Sequence, residues 1–347
     1  MPVVRTLRNP SDLAAAGLVA PERVAALDAV AAQYAVAITP AMAELIAAAG
    51  DPIGRQFIPS EAELRALPQE SADPVGDHTH SPVEGIVHRY PDRCLLKVNH
   101  ACAVYCRFCF RREMVGPQGL RPLSPRALDA AMAYIAERPD IWEVIVTGGD
   151  PFILSPRRLA DVMRRLGEIS HVRVVRFHTR VPSVAPEMVT DDLVAALKAP
   201  GKAVYVALHA NHASELTPAA RAACARLVDA GIPLLSQTVL LAGVNDDPET
   251  LTALMRAFVE TRIKPYYLHH PDLAPGTSHL RTALEKGQAI MRAMRGAVSG
   301  LCQPTYILDI PGGHGKVPVG PDYLADGCVI DPAGRGHTYP PDGEGPA

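Results

Sequence analysis

Residues 125–177, PRALDAAMAYIAERPDIWEVIVTGGDPFILSPRRLADVMRRLGEISHVRVVRF, decide how the rest of the chain is read. Two amphipathic stretches, Pro125–Glu137 and Arg157–Leu166, alternate with two short β-branched runs, Glu143–Val146 and Val172–Phe177. Continuous apolar runs of this length belong to strands covered on both faces, and helices between them imply a parallel sheet with the helices outside. The pattern extends in both directions. Further runs fall at Cys94–Val98, Ala203–Leu208, Leu234–Leu241, Tyr266–Leu268 and Tyr306–Leu308, with another amphipathic stretch at Pro218–Ala230. The fold class is α/β, either an open sheet or a barrel, complete or partial. In both, chemistry gathers where the strands end. Polar groups stand there repeatedly: Thr147-Gly-Gly-Asp150, His178-Thr-Arg180, His209 to His212, Gln237, His269 to Asp272, and Asp309.

Residues 1–85 read as short helices and loops. Thr39-Pro40 caps a helix that Gly50 stops, and Ser60 with Glu63 has capping-box spacing before a helix holding Leu64 and Leu67. After Val329 the run DPAGRGHTYPPDGEGPA is dominated by Pro and Gly and reads as an ordered strap at most, with a flexible tail the favoured reading. The chain has 347 residues, 48% hydrophobic, with 34 Lys+Arg against 37 Asp+Glu. That balance gives no electrostatic case for nucleic acid or an anionic membrane as partner. No apolar run reaches membrane-spanning length, and the N-terminus lacks a signal peptide's apolar core. Seven cysteines, an odd number, do not suit a secreted disulfide framework, so a reducing, cytoplasmic setting is expected.

Three of those cysteines, Cys102, Cys106 and Cys109, lie together in NHACAVYCRFCFRRE, residues 99–113, spaced C-x3-C-x2-C. All-thiolate ligation favours iron–sulfur or zinc. Three thiolates can hold three irons of a [4Fe-4S] cluster and leave the fourth open. A closed zinc site needs four ligands, and only His100 is near enough in sequence to complete one. A non-catalytic zinc module is therefore the rival. Cys94, Cys224 and Cys302 sit in strand- or helix-like contexts, where packing is the default. Lys316 ends a glycine-rich turn in YILDIPGGHGKVP, which lacks the P-loop frame. Taken alone it reads as an exposed lysine rather than an imine-forming one.

The cysteine spacing resembles the signature of the radical S-adenosylmethionine (SAM) superfamily. CAVYCRFC, TGGDP, QTVLLAGVND and LDIPGGHGK together resemble the lysine 2,3-aminomutase family, which joins radical SAM chemistry to pyridoxal 5'-phosphate (PLP). The likeness runs in order from DPIGRQFIPS at Asp51, through HRYPDR and HTRVP, to about Tyr323. It implies a partial (β/α) TIM-like barrel of the radical SAM type over 86–310, an N-terminal helical extension over 1–85, and a PLP-lysine loop with a C-terminal strap over 311–347. It implies a [4Fe-4S] cluster on Cys102, Cys106 and Cys109, and SAM received by Gly148, Gly149, Asp150 and His209. Lys316 matches the lysine that holds PLP as an internal aldimine, with Arg89, Tyr90, Arg93 and Gln237 in the cofactor pocket. Arg111 matches the arginine that takes a substrate carboxylate, and Asp272 and Asp309 match the pair that holds a terminal ammonium.

The activity so implied is an isomerase that interconverts L-lysine and β-lysine, with an electron donor such as flavodoxin or ferredoxin. Short relatives that serve elongation factor P share CRFCFRRE and TGGDP, so that role, or a 2,3-aminomutase of another basic amino acid, is the alternative. Two departures stand out. His314 interrupts the glycine run, and Asp247 stands where longer members carry a zinc-binding cysteine, so a homo-oligomer would assemble without that structural zinc.

Overall fold

A computed structural model of the chain describes residues 3–115, 122–325 and 327–340. Its centre is a nine-stranded sheet whose spatial order follows the chain: β1 (Ile86–Tyr90), β2 (Arg93–Asn99), β3 (Glu143–Gly148), β4 (Val174–Thr179), β5 (Ala203–His209), β6 (Leu234–Val239), β7 (Ile263–His269), β8 (Thr305–Ile310) and β9 (Gly315–Pro318). Strands β2 to β8 pair in parallel. The outer two, β1 and β9, pair antiparallel to their neighbours. This is the expected α/β architecture, a nearly closed barrel-like sheet.

Helices Pro125–Ala136, Pro156–Glu168, Asp191–Ala196, Pro218–Asp229, Pro248–Glu260 and Leu284–Met294 join successive parallel strands. Their starts follow from local chemistry. The side chains of Ser124, Thr217 and Asp247 each accept a first-turn backbone N–H, with Pro at the first helical position. Asp247 thus has a structural use here, accepting from the Thr250 N–H at 2.8 Å. The strands are sealed by residues such as Val144, Val146, Val175, Phe177, Val206 and Leu208, all fully buried. Leu13, Leu27, Ile38 and Phe57 of the N-terminal region belong to the same core. No helix among the described residues is long and apolar enough to cross a membrane.

Three expectations need correction. The helix begun by Thr39 spans only Pro40–Ala43 and ends well before Gly50. The capping box at Ser60 and Glu63 forms, but it starts a single 3-10 turn, Glu61–Leu64, that excludes Leu67. The C-terminal stretch is not a loose tail as far as Pro340: β10 (Leu324–Ala325), β11 (Cys328–Ile330) and β12 (Gly336–Thr338) form a small antiparallel sheet. The turn between β11 and β12 is organised by the Asp331 carboxylate, which accepts the N–H groups of Ala333 and Arg335 at 2.9 Å each. Residues 341–347 of that stretch lie outside the described residues.

Candidate active site

The barrel encloses a cavity of about 420 Å³ on which residues from β1 to β4 and β6 to β9 converge. That is within the range of pockets that bury a small molecule. Eight residues singled out in the sequence line it together: Arg89, Tyr90, Arg93, Arg111, Gln237, Asp272, Asp309 and Lys316.

Lys316 is brought in by register. It pairs with Asp309 across the β8–β9 hairpin, and its Nζ donates to the Asp309 carboxylate. Its N–H donates to the Tyr90 hydroxyl at 2.8 Å. The glycines before it are needed for their backbone: Gly312 and Gly313 have φ of 85° and 88°, the left-handed region open to glycine. A Cβ on Gly76 would stand 2.5 Å from the Gly313 nitrogen, so an N-terminal loop lies directly against the lysine turn. His314 is exposed and points no bond into the cavity.

Charges in the cavity are mostly spoken for. Arg89 donates to Asp309 at 3.3 Å, Arg111 Nε donates to Asp77 at 2.9 Å, and Arg176 pairs with Glu143 at 2.9 Å. Arg93 reaches Asp92 at 2.7 Å and lies 3.8 Å over the Tyr90 ring. Asp272 alone among the cavity's four acids has no cationic side chain bonded to it among the described residues. Burial, and then the neighbouring Asp309 charge, push its carboxyl up to about 7. Burial drives His269 down to about 3 with help from Lys316, and drives His178 well below the usual imidazole range. Both rings are therefore neutral at neutral pH. His178 Nε2 contacts the Gln237 amide at 3.3 Å, while His269 Nε2 is buried without a partner.

The three cysteines follow β2 and line a separate, small cavity with Tyr34, Tyr105, Arg107 and Arg112. Among the described residues no three His, Cys, Asp or Glu side chains converge closely enough to share one metal ion. Burial raises the Cys109 thiol to about 11 and also pushes the Cys102 thiol well above the usual thiol range, a cost that soft metal ligation would offset. The loop is clasped by the N-terminal region. Arg107 donates Nε to both Glu63 oxygens at 3.0 and 3.1 Å and Nη1 to the Ala35 carbonyl at 2.7 Å, and Arg112 also pairs with Glu63. Backbone bonds run from Tyr105 N–H to Ala37 at 3.1 Å and from Arg107 N–H to Gln56 at 2.8 Å. Burial alone would raise Glu63, but the charges and hydrogen bonds of Arg107 and Arg112 hold it below the usual carboxylate range.

Gly148, Gly149, Asp150 and His209 surround this loop rather than the large cavity. A Cβ on Gly149 would stand 2.0 Å from the Ala101 carbonyl oxygen, so glycine is what lets the end of β3 approach the cysteine loop. Asp150 accepts from Thr179 Oγ1 and the Arg180 N–H, both at 2.7 Å, and burial raises its carboxyl despite those bonds. His209 lies 5.5 Å from the Phe108 ring, bonds Asn211 at 3.2 Å, and is held down to about 3 by burial and Arg180. Phe110 and Arg111 line the large cavity while Cys109, one residue earlier, lines the small one, so the two centres share a loop.

Sequence reading missed Asp77, Glu143, Arg176 and the Glu63–Arg107–Arg112 cluster. Glu63 carried a signal, but only as a capping acid, and it does that as well, accepting the Ser60 N–H at 2.8 Å. Its two arginines, one between Cys106 and Cys109 and one just after Cys109, gave no sign of facing a residue some 45 positions earlier.

A barrel-like sheet with a three-cysteine loop at the strand ends is the arrangement of a radical SAM protein, and residues 96–255 match the Radical SAM superfamily. Residues 291–328 match the Lysine-2,3-aminomutase family. The L-lysine 2,3-aminomutase of Acetoanaerobium sticklandii is 42% identical over 291 residues, 83% of this chain and 70% of that protein. That of Clostridium subterminale is 40% identical over 291 residues, with the same coverage of 83% and 70%. The chain belongs to the lysine 2,3-aminomutase family of radical SAM isomerases. The glutamate 2,3-aminomutase of Clostridioides difficile is also 39% identical over 274 residues, 79% of this chain and 64% of that protein, so likeness alone does not choose the substrate side chain. Membership implies a [4Fe-4S] cluster and SAM, and three thiols facing one cavity that no other thiol or imidazole lines among the described residues are a donor set that suits them.

Proposed function

We propose that the protein interconverts L-lysine and β-lysine, moving an amino group between C2 and C3 with PLP in the large cavity. The observation that carries the substrate side chain is Asp272, a carboxylate without a cationic partner beside Asp309 on the cavity wall. Two neighbouring carboxylates repel each other, and a cation between them relieves both desolvation and repulsion. A diamino acid supplies that cation. A glutamate side chain would add a third negative charge.

The chemistry supplied when the cofactors are bound is hydrogen-atom abstraction by cleaved SAM and delocalisation of the resulting radical by PLP. The chain's own residues bind, orient and keep water out. Lys316 Nζ donates to Asp309, so the Asp309 carboxylate is the acceptor in contact when that nitrogen must give up a proton to react as an amine. Arg89 and Arg93 supply positive charge beside it for a phosphate, and the buried Arg89 Nε has no acceptor among the described residues. Arg111 spends Nε on Asp77, which fixes a guanidinium suited to a carboxylate through its terminal nitrogens. Neutral His178 and His269 add no competing charge. Val87, Leu95, Phe110, Tyr266 and Tyr267 make up the apolar lining that excludes water. Thiols committed to iron point to a reducing compartment as the working environment.

The test is anaerobic incubation of the iron- and sulfide-reconstituted protein with SAM, PLP, reductant and each of lysine, arginine and glutamate, with product identification. β-Lysine from lysine and no β-glutamate is the expected result. K316A should keep its iron, lose its visible PLP absorbance and stop turning over. Faster reaction of glutamate, or normal turnover by K316A, would overturn the reading.

A further inference from the structure

Arg180 stands immediately past the end of β4 and is 6% exposed. Its guanidinium is held from several sides. Nη2 donates to Gln56 Oε1 at 2.6 Å and to Glu215 Oε2 at 2.7 Å, and Nη1 donates to Cys106 Sγ at 2.9 Å. Its central carbon lies 4.6 Å from the Phe57 ring and 5.5 Å from the Phe108 ring. Glu215 is itself fixed: its Oε1 accepts the N–H groups of Asn211 at 2.8 Å and His212 at 3.0 Å, and the Gln56 amide at 3.1 Å. The remaining donor, Arg180 Nε, is buried and has no partner. Among the described residues, Cys106 is the one thiol of the three with a charged donor on its sulfur.

We infer that Arg180 is a positioning residue for the metal centre: it fixes the Cys106 sulfur for iron and, through a charged hydrogen bond to that sulfur, makes the bound centre easier to reduce. The inference rests on the radical SAM reading of the three thiolates. Reduction adds one electron to the oxidised four-iron core from a low-potential donor such as dithionite. No bond to Arg180 is made or broken, and no proton moves. The added electron increases negative charge on the coordinating sulfurs, so a nearby positive donor stabilises the reduced state more than the oxidised one. Burial strengthens the effect, because little water screens it. A guanidinium that merely braced the loop would leave the potential unchanged once the cluster was loaded.

The test uses the full chain reconstituted with iron and sulfide under anaerobic conditions, without SAM, in electron paramagnetic resonance titrations against dithionite. R180Q/E215Q removes both charges together, so no buried carboxylate is left unpaired. With iron and sulfide content equal to the parent, its ratio of reduced to oxidised cluster at a fixed potential should fall about tenfold, the scale of a charge-assisted hydrogen bond. For one electron a tenfold change is a negative shift of about 59 mV. R180K keeps the charge without the fork and should shift the same way by a smaller factor. Parent-like potentials in both variants would overturn the inference. If the double variant does not fold, R180K decides: a more negative potential supports it and an unchanged one sinks it. A parent protein that takes up no four-iron cluster would instead remove the radical SAM reading beneath it, a separate and visible failure.

Discussion

Asp272→Asn removes one negative charge from the cavity while keeping the side chain's size and an acceptor oxygen. In the empty site burial and Asp309 raise the Asp272 carboxyl from 3.8 to about 7. A lysine side chain stays protonated to about pH 10, so its ammonium calls for the ionised carboxylate. Above pH 7 that form is already present. Below it, each pH unit requires about 1.4 kcal/mol to strip the proton before the ion pair can form, so the lysine KM should rise toward tenfold per unit. The variant cannot make the pair. Truncating one partner of a buried charge pair costs about 2–5 kcal/mol, which is roughly 30- to 5,000-fold in KM. Its KM should be high and flat from pH 6 to 8, with kcat reduced less. Stability carries the opposite sign. The folded state holds this proton more tightly than the unfolded state, so in the empty parent protein stability falls as pH rises from about 4 to 7, and the variant lacks that fall. Anaerobic initial rates of β-lysine formation against lysine concentration, at each pH, provide the measurement. A parent-like KM in the variant, or a parent KM that improves on acidification, would refute the ammonium-binding role.

Two further outcomes follow from the cysteine loop. Glu63→Gln leaves two buried guanidinium groups without their carboxylate, so urea unfolding should show a loss of about 3–5 kcal/mol, and iron bound per chain should drop with it because Arg107 and Arg112 hold the loop. Unchanged stability would show that the cluster contributes nothing net. Gly149→Ala puts a methyl 2.0 Å from the Ala101 carbonyl, a backbone atom that cannot swing aside. Far-ultraviolet dichroism should stay near the parent's while iron content falls sharply, and a normal iron content would contradict the close approach.

The parallel strands were legible because each is an apolar run, and β2 through β8 all lie on the runs expected from the sequence. The two outer strands were not. HRY in β1 and GKVP in β9 carry the polar groups that line the cavity, so neither shows strand periodicity. The eight residues taken from the motifs share one lining, although they are scattered along the sequence. What holds them was hidden, because Asp77, Glu143 and Arg176 are single charged residues that only the fold brings together. The C-terminal sheet was missed for a different reason. Gly and Pro dominate its composition, and order there depends on one carboxylate, Asp331, gathering two backbone N–H groups along with Arg335 and His337.

The sheet curls until its two outer strands face each other: the Tyr90 phenol of β1 takes the Lys316 amide of β9, and Arg89 of β1 reaches past it to Asp309 of β8. Anywhere else in the wall, prising neighbours apart would break a whole ladder. Here what must yield is those two contacts and the N-terminal loop seated on the lysine turn, where His80 meets the Gly313 carbonyl at 3.1 Å. The wall of the cavity is therefore weakest along this seam, beside the Lys316 amine.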